Sequence, residues 1–233
     1  MRPFELKKFA TDEELANAAA SAWLDEIELA NRAGKGQCVA LSGGRITQKF
    51  LAATVNQAAS RDISFSRVHF FWADERCVPP GDPDSNYKMA NDLLFVPLKI
   101  SAAQIHRIRG EEPPASAAKA AEAELRQTAP NQVFDLIFLG MGEDGHVASL
   151  FPGASPAIQE AATPFLVVEN SPKPPPTRIS LSFKAIFAAT NVWVLVSGSG
   201  KRSALEESLS ATGRTPLARV LQGRTQTCIF SDI

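Results

Sequence analysis

FDLIFLGMGEDGHVASLFPG, residues 134–153, joins a strongly apolar run to a glycine-rich turn carrying two acids and a histidine. Phe134 to Gly140 reads as a buried strand, because a short unbroken apolar run that ends in glycine suits a strand covered on both faces. In open α/β sheets ligands sit beyond the carboxyl ends of such strands, so His146 is expected to face a crevice.

The flanking sequence repeats this pattern. Thr11 with Glu14 makes a capping-box pattern before an Ala- and Leu-rich helix running to about Ala33, which Gly34 and Gly36 stop. QCVALSGG then reads as a strand and turn, and TQKFLAATVNQAAS as a helix. VHFFWADER predicts a strand ending in charge at Asp74, followed by a loop rich in Pro, Gly and Asp and a helix from about Asn86 to Leu94. IHRIR is a candidate short strand, and Ser116 to Gln127 is helical and leads into the Phe134 strand. FLVVE, RISLSF and VWVLVSG follow as strands, a helix starts near Lys201, Thr215 and Pro216 read as N-cap and N1 of a short helix, and TQTCIF as a final strand. Alternation of this kind predicts an α/β, Rossmann-like fold, a mostly parallel sheet with helices on both faces, in one domain spanning 1–233. SPKPPPT, 171–177, reads as a stiff polyproline loop inside that domain.

Composition narrows the function classes. The net charge is −1 with both signs interspersed, which gives no footprint for nucleic acid or an anionic membrane, so anion recognition must be local. No apolar run approaches the roughly 20 residues of a spanning helix, and MRPFELKKFATDEE lacks a secretory core; the cytoplasm is expected. Cys38, Cys77 and Cys228 are far apart without a CxxC pair, which argues against a disulfide framework or structural zinc, and Cys38 and Cys228 suit strand cores.

Several motifs compete for the chemistry. GMGEDG matches the dinucleotide pattern GxGxxG through Gly140, Gly142 and Gly145, but Glu143 and Asp144 would set negative charge against a pyrophosphate, and Pro152 would end the required helix early. SGSGK, 197–201, is not a P-loop, since Leu195 occupies the first glycine position and Arg202 the magnesium-binding one. It still offers Lys201 at a helix start, where a single phosphate could bind. SGGR, 42–45, likewise sets the free N–H groups of Gly43 and Gly44 and the cation of Arg45 after a strand. Asp74 and Arg76 leave the end of the VHFFW strand as a candidate site acid and site arginine, with Asp84 or Ser85 capping the helix that follows. His69 and His106 read as structural. His146 differs, because glycines precede it and Asp144 lies two residues away as an orienter; with no second histidine or cysteine at ligand spacing, a metal is discounted.

Taken together, LSGG at 41–44, DER at 74–76 with DSNY at 84–87, GMGEDGHVASLFPG at 140–153, PTRISLSF at 176–183 and SGSGK at 197–201 resemble the 6-phosphogluconolactonase family, in order and over nearly the whole chain. The wider group includes glucosamine-6-phosphate deaminase, which carries a glutamate five residues after the histidine. Here that position is Phe151, which cannot exchange a proton, so the resemblance favours the lactonase over the deaminase. After the glycines the family continues close to Ser-Thr-Pro or Arg-Thr-Pro; this chain has Arg45, Ile46, Thr47 and Gln48, and Thr47 is assigned no phosphate contact.

The resemblance implies hydrolysis of 6-phospho-D-glucono-1,5-lactone in the oxidative pentose phosphate pathway, without metal or organic cofactor. It implies His146 as base and then acid, Asp144 as its orienter, and Arg76 and Asp74 at the lactone or its hydroxyls. The phosphate would meet Gly43, Gly44, Arg45, a bidentate Arg178 and Lys201. The partner expected is the phosphorylated sugar lactone alone, with no nucleic acid or membrane and a monomer favoured. A sugar-phosphate sensor without catalysis is the reading from another class; the absence of any DNA-binding appendage and the presence of the histidine weigh against it.

Overall fold

The computed structural model describes residues 4–129 and 131–233. Along the chain, β1 (Glu5–Lys8) precedes α1 (Asp12–Arg32), β2 (Gln37–Leu41) precedes α2 (Arg45–Arg61), and β3 (Val68–Trp72) is followed almost at once by β4 (Asp74–Arg76). A short helix α3 (Asn86–Ala90) widens into a π turn over Asn91–Phe95; α4 (Pro114–Thr128) then leads to β5 (Leu136–Gly140). After α5 (Pro156–Gln159) come β6 (Phe165–Val168), β7 (Arg178–Leu181), α6 (Phe183–Ala188) and β8 (Asn191–Val196). The chain closes with α7 (Arg202–Leu209), α8 (Pro216–Gln222) and β9 (Cys228–Ser231).

Six strands form one parallel sheet in the order β1-β9-β8-β5-β2-β3. β2 and β5 are adjacent, and the connections run outward from them in opposite directions, towards β3 on one side and towards β8 and β9 on the other. Such a reversal opens a crevice at the carboxyl ends of the central strands. Helices α1 and α2 cover one face: Trp23 of α1 packs 5.6 Å from Phe50 of α2 and 5.1 Å from Phe138 of β5. On the other face Phe71 lies 5.5 Å from Phe134 and 4.5 Å from His106, which bonds Glu124 of α4. Central strands buried at all but one terminal residue each are the expected result of double coverage.

The helix boundaries follow the local chemistry read from sequence. Thr11 caps α1, accepting from Glu14 N, and Glu14 reaches back to Ala10 N; Ser85 caps α3 and Thr215 caps α8, with Pro216 at N1. IHRIR does not make a strand. It runs beside β3 in a single bridge, Ile105 to Phe70, with His106 N donating to Phe70 O.

A second, antiparallel sheet of three strands, β4-β7-β6, was not expected. VHFFWADER is two strands and not one, because the chain changes sheets at Ala73. Its N–H donates to Leu41 O at the end of β2, and its carbonyl accepts from Leu181 N at the end of β7. Asp74 and Arg76 therefore project from the small sheet across the carboxyl edge of the large one.

Candidate active site

Four loops meet at that edge, following β2, β3, β5 and β8. The β5 loop is tight: Gly142 N donates to His146 O, Gly145 N donates to Gly142 O, and Gly145 adopts φ +76°. A Cβ on Gly142 would stand 2.0 Å from His146 Nδ1, so this glycine lets the imidazole fold back over the turn. His146 Nδ1 lies 2.5 Å from Asp144 Oδ1, and the ring packs against Phe151 at 4.7 Å. With Nδ1–H directed at Asp144, Nε2 carries the lone pair, and among the described residues nothing bonds it. Burial lowers the His146 pKa from its ordinary value; Asp144 opposes this and Lys173 adds to it. Burial acts to raise Asp144, but its bonds to His146 prevail and hold it below the usual carboxylate range.

The small sheet brings up the other wall. Arg76 and Arg178 are register partners, as are Asp74 and Ser180, so all four project to one face. Asp74 Oδ2 accepts from Ser149 Oγ at 2.6 Å, and Ser149 N donates to Ser180 Oγ at 3.1 Å, which ties the His146 segment to this wall. Arg178 is only 4% exposed. Its Nε donates to Pro175 O, its Nη2 to Lys173 O and Pro174 O, each at 3.1 Å, while Nη1 lies 3.9 Å from Asp74 Oδ2. The bidentate fork expected of Arg178 is therefore turned towards the proline loop, leaving Nη1 on the cleft side. Its guanidinium also sits 5.8 Å from the Phe151 ring, beside the histidine. Arg76 is half-buried, with Nη1 donating to Asp84 O at 2.6 Å.

On the remaining side, α2 begins at Gly44 with φ +107° and no side-chain cap, which leaves its first N–H groups open to an anion. Thr47 is buried and donates to Gly43 O at 3.0 Å, supporting the loop. The half-buried Lys201 follows the turn after β8. Burial lowers its pKa, the Arg45 and Lys173 charges add to this, and Glu143 and Asp232 oppose it. Asp232 also holds the turn itself, accepting from Ser197 Oγ at 2.8 Å and Gly198 N at 3.2 Å.

The structure thus gathers His146, Asp144, Asp74, Arg76 and Arg178 in one half of the cleft and Gly43, Gly44, Arg45 and Lys201 in the other. Lys173, whose charge acts on both His146 and Lys201, was missed in the sequence. So were Ser149 and Asn86, whose Nδ2 donates to Asp74 O at 2.8 Å and whose side chain packs against Gly43. His69 and His106 lie towards the amino-terminal end of β3, bonded to each other at 2.9 Å. No three His, Cys, Asp or Glu side chains gather as a metal-binding set among the described residues. Nor is any helix there long and apolar enough to cross a membrane.

An imidazole oriented by a carboxylate at the carboxyl edge of a parallel sheet, with an arginine over the same aromatic ring, is an arrangement typical of an α/β enzyme. The family model for glucosamine-6-phosphate isomerases/6-phosphogluconolactonase matches residues 10–229. The chain is 36% identical to the 6-phosphogluconolactonase of Streptomyces coelicolor, over 95% of this chain and 89% of that protein. It is 40% identical to that of Haemophilus influenzae, over 72% of each. The crystal structure of the 6-phosphogluconolactonase from Thermotoga maritima superposes with a TM-score of 0.84 at 28% identity, covering 98% of both chains. The chain belongs to the glucosamine-6-phosphate isomerase/6-phosphogluconolactonase family.

Proposed function

We propose that this chain hydrolyses 6-phospho-D-glucono-1,5-lactone to 6-phosphogluconate, with His146 as the proton-transfer group. The observation that carries the reading is the His146–Asp144 pair, which leaves Nε2 free to act as a base, with Arg178 against the same Phe151 ring on which the imidazole packs. Nε2 takes a proton from water, and the resulting hydroxide adds to the lactone carbonyl. Arg76 and the Nη1 arm of Arg178 stabilise the oxyanion as it forms. Asp144 stabilises the imidazolium, which then protonates the ring oxygen as its bond to the carbonyl carbon breaks. Asp74 receives a sugar hydroxyl, and the phosphate sits on the Gly43–Arg45 turn with Lys201 and Lys173.

Phe151 supports hydrolysis over deamination. The deaminase chemistry places a carboxylate five residues after the histidine, and here an apolar ring fills that position against the imidazole. Three unpaired cysteines suit a reducing compartment, in keeping with the cytoplasm. Offering the lactone and glucosamine-6-phosphate in parallel tests the reading: acid release from the lactone above its spontaneous rate is expected. Ammonia release, or binding without turnover, would refute it.

A further inference from the structure

Strand β4 alternates. Asp74 and Arg76 point to the cleft, while Glu75 between them points the other way, opposite Ile179. Glu75 is 2% exposed, and a carboxylate at such a depth persists as an anion only with partners. It has four. Oε1 accepts from Arg76 N and Asn86 N, both at 2.8 Å, and Oε2 from Tyr87 N at 2.7 Å and Ser85 Oγ at 3.1 Å.

The proton transfers described above do not use this group. Its bonds fix the turn Ser85–Tyr87, and that turn is the reference for three parts of the site. Asn86 Nδ2 donates to Asp74 O at 2.8 Å and lies 3.4 Å from Asp74 Oδ1. Asn86 Oδ1 occupies the space beside Gly43, 2.0 Å from where a Cβ would stand. Arg76 is moored to the same loop through Asp84 O.

We propose that Glu75 is a positioning residue for the lactonase reaction, holding Asp74, Arg76 and the Gly43 turn in mutual register through Ser85–Tyr87. The inference rests on the reading that Asp74 and Arg76 serve the substrate. Burial pushes Glu75 up to about 6, against the pull of the Asn86, Tyr87 and Arg76 N–H groups, and the Asp74 charge adds to the rise. The other charged or titratable groups around it are Arg76 and Cys77 along its own segment, Arg178 from β7 and Tyr87 from α3.

Glu75→Gln keeps the shape but turns one acceptor oxygen into an amide donor facing two donors. At pH 8, after subtraction of spontaneous lactone hydrolysis, kcat is expected to fall about ten-fold. The ratio of wild-type to variant kcat should then close towards one below pH 6, where the wild-type Glu75 is itself protonated. A role confined to folding would give a ratio independent of pH. Asn86→Ala leaves Glu75 its backbone partners but cuts the link to Asp74 and Gly43. It should lower kcat by a similar factor at every pH, and it keeps the idea testable if the glutamine variant does not fold. A glutamine variant with wild-type kcat, a ratio flat from pH 5 to 8, or a fully active Asn86→Ala overturns the proposal. Failure of the underlying site reading looks different, because His146→Ala would then retain its turnover.

Discussion

Arg76 and Arg178 stand directly opposite each other in the β4–β7 ladder, two like charges at a position where such pairs normally destabilise a sheet. Asp74, 3.9 Å from Arg178, offsets part of that repulsion, and an anion in the cleft would offset more. Arg178→Ala is expected to lower kcat roughly 10- to 100-fold, because an oxyanion contact is lost, and also to lower Tm, because three carbonyls of the proline loop lose their donor. Arg178→Lys should not rescue either effect, since an ammonium cannot reproduce the planar contacts. Steady-state kinetics with thermal melts decide this: an unchanged kcat in both variants removes Arg178 from the oxyanion.

His146→Ala should lower kcat by ~10² to 10⁴ with little change in KM, as expected for a group acting only in proton transfer. Substantial kcat in this variant above the spontaneous rate would refute the base assignment.

The pH profile carries a signed prediction. His146 must be neutral to act as base, and its pKa lies below the ordinary 6.5, so kcat/KM should hold to pH 6.5 and decline only beneath it. Asp144 raises that pKa through its hydrogen bond and charge. Asp144→Asn should therefore move the acid limb to still lower pH while reducing kcat. A limb that shifts upward contradicts the pairing.

Gly142→Ala sets a methyl 2.0 Å from His146 Nδ1 and 2.6 Å from Asp144 Oδ1. The imidazole must leave its place, so kcat is expected to fall at least ten-fold, in the manner of small misplacements of a catalytic group. Wild-type kcat in this variant would show that the Asp144 contact is dispensable.

Glu75 also ties stability to pH. Its folded pKa of about 6 lies above the ordinary 4.5, so its contribution is fully present below pH 4.5 and is lost as pH rises through 6. The loss amounts to ~2 kcal/mol. Denaturant unfolding of wild type and Glu75→Gln from pH 4 to 7 isolates it, since the other titrating groups are common to both. The stability difference should move against the wild type across that interval, and a constant difference contradicts the assignment.

The parallel sheet was legible because each of its strands is a local apolar run followed by a helix with its own capping residues. The small sheet was not. Whether RISL or FLVV joins the large sheet depends on partners far away in sequence, and nothing within VHFFWADER marks Ala73 as the point of exchange. His146 and Asp144 could be read because their contact spans two residues. Lys173 could not, since its place follows from the Arg178 guanidinium grasping the carbonyls of residues 173–175. The same bonds explain why Arg178 reads as a free fork in sequence and is a braced one in the fold. Glu75 stayed hidden because its alternation with Asp74 and Arg76 has meaning only once a strand is known to begin at Asp74.

Ala73 gives its N–H to one sheet and its carbonyl to the other. In mechanical terms it is a rivet between two plates, one bearing His146 and the other Asp74, Arg76 and Arg178. The spacing between those two plates at their base is therefore set by backbone hydrogen bonds through one residue, whatever side chains line the faces above it.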